Sequence, residues 1–113
     1  MDNDSLVILW SSGDKEVATK MVFMYALNAK KRNWWKSVTL IVWGPSSKLL
    51  SQDEELRAKV VEMKNEGINL EACKACADQY GVSDSLTALG IEVKYMGMPL
   101  TEYMKRGDHI LTF

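Results

Sequence analysis

Short runs of apolar residues alternate with longer amphipathic segments along this chain, and that alternation restricts the possible folds more than any other feature. The runs at 5–10 (SLVILW) and 37–43 (SVTLIVW) are almost continuously apolar, which is typical of strands buried on both faces of a sheet. Gly44 and Pro45 end the second run because they cannot continue a central strand. Strands of this kind are joined by helical crossovers.

The segments between the strands carry helical signals. Residues 15–32 place apolar side chains at helical spacing, and Ser51 with Glu54 forms a capping box that predicts a helix over 52–66. The rest of the pattern predicts, in order, a strand over 68–73, a short helix over 74–80, a further turn over 84–89, a strand over 91–97, a helix opened by Pro99 and closed by Gly107, and a strand over 109–113.

This order of elements, βαβαβαβαβ, predicts a three-layer α/β/α sandwich with a five-stranded, mainly parallel sheet. The 113 residues suit a single domain spanning 1–113. Ligands of such sheets bind at the carboxyl ends of the strands. Residues that carry chemistry are therefore expected at those ends.

Composition and charge limit where the protein works. Fourteen basic and fifteen acidic residues leave a net charge of -1, so no overall field attracts nucleic acid or anionic lipid. The first residues lack the basic and apolar regions of a signal peptide, and no apolar stretch approaches ~20 residues. We expect a cytoplasmic protein with no membrane contact. In a reducing compartment its two cysteines are expected to be thiols.

Cys73 and Cys76 are the best candidates for chemistry. The predicted third strand ends at Cys73, and Cys76 lies one turn into the following helix. Unpaired backbone N–H groups at a helix start favour a thiolate, and Lys74 is expected to assist. The opposing interpretation is that both cysteines are small buried apolar residues, with Cys76 facing the core.

The chain resembles the DsrE/DsrF/TusD-like sulfur-relay proteins in two segments. In that family the third strand ends in a cysteine, followed by a short helix containing alanine and then Gly-Val or Gly-Ile. Here Cys73 begins the segment CKACADQYGV, which ends at Val82. The family's last strand has an Asp before an apolar run to a final Phe, matched here by Asp108 to Phe113.

This resemblance implies a small α/β protein that assembles into homo-trimers or hexamers. It also implies that Cys73 carries sulfane sulfur as a persulfide, received from a donor protein and passed to an acceptor thiol. Cys76 is then available to expel the sulfur by closing a Cys73–Cys76 disulfide. The resemblance implies no cofactor.

Two other functions remain open at this stage. A thiol-disulfide oxidoreductase would use Cys73 to attack and Cys76 to resolve, although the usual aromatic or Gly-Pro residues between the cysteines are absent. A non-catalytic oligomeric binding subunit is the third possibility, since four tryptophans and seven methionines are many for this length.

The other aromatic residues give weaker signals. Trp10 and Trp43 lie in predicted strands and are expected in the core. Trp34 and Trp35 stand among basic residues, an arrangement that can stack on single-stranded nucleic acid. Because a basic helix end followed by a turn explains the same residues, we expect no nucleic-acid partner.

Three further features are expected to be structural. The segment 11–14 (SSGD) is expected to be a plain turn and no anion site. His109 is the only histidine and lies far along the chain from the cysteines, so we expect a surface strand residue and no metal site. Met21 and Met63, at helical spacing, are expected to fill the core.

Overall fold

The computed structural model describes residues 3–113. Within them the elements run in the order β1 (Ser5–Trp10), α1 (Lys15–Val17), a π-helical turn (Ala18–Val22), α2 (Phe23–Lys31), β2 (Ser37–Val42), α3 (Pro45–Gln52), α4 (Glu54–Asn65), β3 (Asn69–Cys73), α5 (Lys74–Tyr80), α6 (Ser83–Ala88), β4 (Glu92–Lys94), α7 (Gly97–Arg106) and β5 (His109–Thr112). The segments α1, π turn and α2 follow one another without a break and match the helix predicted over 15–32.

The strands form one sheet in the order β4-β3-β2-β1-β5, and every neighbouring pair is parallel. The five residues of β2 after Ser37 are all buried, because β1 and β3 flank this strand and helices cover both faces of the sheet. The predicted α/β sandwich is confirmed, with a sheet that is entirely parallel.

The two faces of the sheet are covered unequally. Alternate strand residues such as Ile8 and Leu40 join the larger hydrophobic cluster, to which helices α2 to α6 and the π turn contribute. Val7 and Ile41 point the other way, into a smaller cluster beneath α7. From β1 to β4 each new strand is added on the same side of the sheet, and the chain then crosses back to place β5 beyond β1. Because crossovers between parallel strands are right-handed, this reversal places α7 on the opposite face from the helices before it.

Helix α3 was not predicted, and the capping box was assigned to the wrong residue. Pro45 occupies the first turn of α3, where its missing N–H leaves no hydrogen bond unmade. The cap of α4 is Asp53, whose carboxylate accepts a hydrogen bond from the Leu56 N–H at 3.0 Å. Ser51 instead lies in α3 and donates to the Lys48 carbonyl oxygen at 2.8 Å.

Strand β4 is shorter than the predicted 91–97, and the turn predicted over 84–89 is the helix α6. The apolar pattern continued past Lys94 because Met96 is fully buried, yet Met96 precedes α7 and packs over the second face of the sheet. Helix α7 itself begins at Gly97, two residues before Pro99. The predicted strand was too long because it included Met96, a buried residue that lies outside β4.

The predicted core positions are partly confirmed. Trp10 and Met63 are fully buried, whereas Trp43 is half-buried on the second face. Met21 is 52% exposed, so its assignment to the core was wrong. The long first helix turns small and branched side chains such as Ala18 toward the sheet, which leaves Met21 on its outer side.

The end of α5 gives a first testable prediction. Gly81 has a φ of 71°, its N–H donates to the Asp78 carbonyl at 3.0 Å, and the next N–H donates to the Ala77 carbonyl at 2.8 Å. A side chain is strained in this left-handed conformation, so Gly81→Ala should lower the free energy of unfolding by about 1 kcal/mol in urea denaturation. Gly97→Ala is the matched control, because the φ of Gly97 is not left-handed and the space around its Cα is open.

Candidate functional site

Cys73 is the last residue of β3 and the cap residue of α5, at the carboxyl edge of the sheet. Leu70 and Ala72 face the larger cluster, so the alternation of the strand turns Cys73 to the second face. Its residue surface is only 4% exposed, and Met96 lies in the same small cluster. The predicted position at a strand end is confirmed, but the thiol lies beneath a cover.

Cys76 packs against the same small cluster and is partly buried. Burial raises the pKa of the Cys76 thiol, and the neighbouring Cys73 raises it further, while the Gly44 backbone and the Trp43 side chain act in the opposite direction. Both cysteines are free thiols. The fold therefore places both cysteines at one small cluster, and the raised pKa keeps Cys76 protonated at neutral pH.

Lys74 separates the two cysteines in sequence but is engaged elsewhere. Its ammonium group pairs with Asp78 at 2.9 Å and lies 5.9 Å from the centre of the Tyr95 ring. The hydrogen bond to Asp78 is the main cause of the raised pKa of Lys74. Because Asp78 neutralises this charge, the expected assistance from Lys74 to a thiolate loses its basis.

Glu71 is a buried acidic residue that sequence reasoning missed. It lies two residues before Cys73 on the same face of β3 and is 8% exposed. One carboxylate oxygen accepts a hydrogen bond from the Tyr103 hydroxyl at 2.7 Å, and the other pairs with Lys94 at 2.9 Å. Burial and the bond to Glu71 raise the pKa of Tyr103 to about 12, so the phenol stays protonated and remains a donor.

A sequence signal for Glu71 existed in the strand register. In the predicted strand over 68–73, Ile68, Leu70 and Ala72 alternate with polar residues, and this pattern alone assigns no role to Glu71. In the sheet, β3 and β4 pair so that Cys73 is opposite Lys94. A carboxylate and an ammonium group on neighbouring strands of a two-sided sheet are typical partners.

The remaining candidates lie outside this site. The turn at 11–14 is closed by Asp14, which accepts from the Glu16 N–H at 2.7 Å, and by Ser11, whose N–H and hydroxyl both donate to the Phe113 carbonyl oxygen at 2.8 Å. His109 is exposed on β5, with its ring 5.2 Å from that of Trp35. In residues 3–113, no group of three or more His, Cys, Asp and Glu side chains is arranged to hold a metal ion.

Trp34 and Trp35, which stand among basic residues in the sequence, have different surroundings in the structure. Trp35 packs against the larger cluster and donates its indole N–H to the Tyr25 hydroxyl at 3.0 Å. Trp34 is 52% exposed and lines a shallow groove of about 290 Å³ with Met21 and Met24. The two tryptophans do not form one stacking surface. Within the described part of the chain, no helix is both long and apolar enough to cross a membrane.

The all-parallel sheet, with helices on both faces and two free cysteines near its carboxyl edge, defines a small α/β/α sandwich protein. The chain belongs to the DsrE/DsrF-like family, which matches residues 4–113. It is similar to BT1422, a conserved protein of unknown function from Bacteroides thetaiotaomicron. The two share 47% identity with a TM-score of 0.95, over 98% of this chain and 96% of that chain.

Two further similarities are more distant. The ychN protein from E. coli has the same fold, with a TM-score of 0.73 and 15% identity over 96% of this chain and 98% of that chain. A 53-residue stretch is 40% identical to tRNA pseudouridine synthase B from Vibrio campbellii. That match spans 46% of this chain and only 17% of the synthase, so it carries no functional argument.

Proposed function

We propose that residues 1–113 act as one domain that relays sulfur, with Cys73 as the thiol that accepts it. The observation that carries the proposal is the pair of adjacent free thiols at the carboxyl edge of the sheet, in a chain of the DsrE/DsrF-like family. Free thiols are required for loading and release, which suits a reducing compartment such as the cytoplasm.

Loading is a thiol exchange that needs no added oxidant. The Cys73 thiolate attacks the terminal sulfur of a donor persulfide, R–S–SH. A new bond forms between the Cys73 sulfur and that atom, the donor S–S bond breaks, and the donor leaves as its thiolate. Cys73 then carries a persulfide, and the transferred sulfur keeps its oxidation state.

Release has two routes. An acceptor thiolate attacks the terminal sulfur, takes it as a new persulfide and leaves Cys73 as a thiolate. Alternatively, the Cys76 thiolate attacks the Cys73 sulfur, a Cys73–Cys76 disulfide forms, and hydrosulfide leaves; an external dithiol then reduces the disulfide. Because burial raises the pKa of Cys76, we expect the second route to be the slower one.

Thiol-disulfide oxidoreductase activity is the second candidate, and the proximity of Cys76 to Cys73 favours it. In that case both cysteines are essential and no persulfide accumulates. A Cys73–Cys76 couple that equilibrates with glutaredoxins or thioredoxin, at roughly −200 to −270 mV, would support it. A couple far outside that range would leave the relay function as the better account.

The proposed partners are sulfur donor and acceptor proteins together with further copies of this chain, in a homo-trimer or hexamer. Helix α7 leaves Met98 and Met104 72% and 53% exposed, and exposed apolar surface of this kind suits contacts between subunits. Native mass spectrometry reads the oligomeric state directly, and a monomer at micromolar concentration would contradict this part of the proposal.

Mass spectrometry of the loaded protein tests the relay function. After incubation with a persulfide donor, the intact protein should gain the mass of one sulfur atom, and reductant should remove it. Trypsin cleaves after Lys74, so Cys73 and Cys76 fall in separate peptides, 65–74 and 75–94. Added sulfur on peptide 65–74 supports the proposal. A protein that stays unmodified although Cys73 reacts with an alkylating reagent would favour a non-catalytic subunit.

A further inference from the structure

A buried Cys73 creates a problem for sulfur transfer. Exchange requires the donor sulfur to approach the Cys73 sulfur directly, and its rate depends on that access. Yet the residue is 4% exposed and packs with Met96, which is fully buried. In this structure the Cys73 thiol is therefore shielded from solvent, and a donor reaches it only after the residues that cover it move.

The cover is helix α7 with the residue before it. Leu100 and Tyr103 pack against the small cluster that contains Cys73. No residue of α7 is fully buried, so apolar contact holds this helix more weakly than it holds the helices of the other face. An element with few buried contacts is one that opens locally.

Polar contacts help to hold α7 against the sheet. Glu71 links three elements, because it stands on the strand of Cys73, accepts from Tyr103 of α7, and pairs with Lys94 of β4. The bond from Tyr103 measures 2.7 Å and has a charged acceptor, which makes it stronger than a bond between neutral groups, and both residues line an open pocket of about 610 Å³. Arg106 lies over the Tyr103 ring, 5.2 Å from its centre, and holds the phenol in place.

We propose that Tyr103 and Glu71 are positioning residues that hold α7 over Cys73, so that the hydrogen bond between them sets how often the thiol is open to a sulfur donor. The inference deepens the proposed relay function and rests on it for its biological meaning. Their hydrogen bond joins the two side chains to each other and not to a sulfur atom. Their effect is on the population of the open state and not on the chemistry of exchange.

The rate of Cys73 alkylation in the native protein tests this. With N-ethylmaleimide as the probe, the modified peptide 65–74 reports Cys73 alone, since trypsin separates it from Cys76. Tyr103→Phe keeps the ring but removes the hydroxyl, and should speed Cys73 alkylation roughly tenfold. Glu71→Gln keeps an oxygen that accepts from Tyr103 but loses the charge, so a smaller acceleration is expected.

Tyr25→Phe is the matched control. It also removes one hydroxyl in a hydrogen bond, here with the Trp35 indole at 3.0 Å, but on the opposite face of the sheet from α7. It should leave the Cys73 rate unchanged. Low urea concentrations distinguish the kind of opening, because a local opening depends weakly on urea and global unfolding depends steeply.

Equal Cys73 rates in Tyr103→Phe and the wild type would overturn the inference, as would equal acceleration by Tyr25→Phe or a steep urea dependence. The assay uses no persulfide, so it does not depend on the relay function. Faster alkylation in a protein that takes up no sulfur would support the cover and contradict the relay. Normal sulfur uptake, together with a Cys73 alkylation rate that Tyr103→Phe leaves unchanged, would support the relay and contradict the cover.

Discussion

The Cys73→Ala variant is expected to take up no sulfur from a persulfide donor, whereas Cys76→Ala should load to the wild-type level. In the proposed mechanism Cys73, at the end of β3, accepts the sulfur, and Cys76 acts only in one of two release routes. Without the Cys73 sulfur no S–S bond to the protein can form at this position. Intact-protein mass spectrometry before and after reductant measures both variants.

Release separates the roles further. In Cys76→Ala the persulfide should persist in the absence of an acceptor thiol, because the route through an internal disulfide is lost. Cys73→Ala removes a single buried sulfur atom, so the fold should survive, and its circular dichroism spectrum is the control. Sulfur that still loads in Cys73→Ala would contradict the proposed function. Loss of loading in Cys76→Ala would favour the oxidoreductase.

Trp10→Ala is expected to lower the free energy of unfolding by about 3–5 kcal/mol, one of the largest effects available in this chain. Trp10 is fully buried at the end of β1, and its ring meets Phe23 edge-on with centroids 5.0 Å apart. Truncation leaves a large cavity that neighbouring strands and helices cannot fill. Urea denaturation followed by circular dichroism measures the loss without relying on tryptophan fluorescence.

The same substitution elsewhere is the control. Trp34→Ala removes an equal side chain that is 52% exposed and contacts Tyr25 at a ring distance of 5.9 Å, so it should cost less than about 1 kcal/mol. Trp10→Phe should be milder than Trp10→Ala, since the buried indole N–H of Trp10 has no hydrogen-bond partner in the described residues. Equal losses in Trp10→Ala and Trp34→Ala would contradict the described core.

Much of the sheet could be predicted from sequence, and the failures have local causes. The apolar runs at 5–10 and 37–43 are strands because only a doubly covered sheet buries both sides of such runs. Helix α3 was missed because Pro45 suggests a loop as readily as a helix start. Asp53 caps α4 because the chain bends there between two helices, a bend that propensity does not reveal.

The candidate site divides in the same way. Cys73 could be assigned to a strand end because the apolar run before it and the helix after it are both short-range signals. Whether its thiol is exposed or buried stayed open, because the residues that cover it come from α7, which follows Cys73 by more than twenty residues. The same holds for Glu71, whose partners Lys94 and Tyr103 are distant in sequence.

The order of apolar and amphipathic segments by itself determined an α/β sandwich with a parallel sheet and a thiol at the end of its third strand, because burial of a strand is recorded in its own residues. Only the tertiary structure decided that α7 would lie on the second face and pack against the cluster that contains Cys73. That outcome depends on the crossover from β4 to β5, which places distant segments in contact.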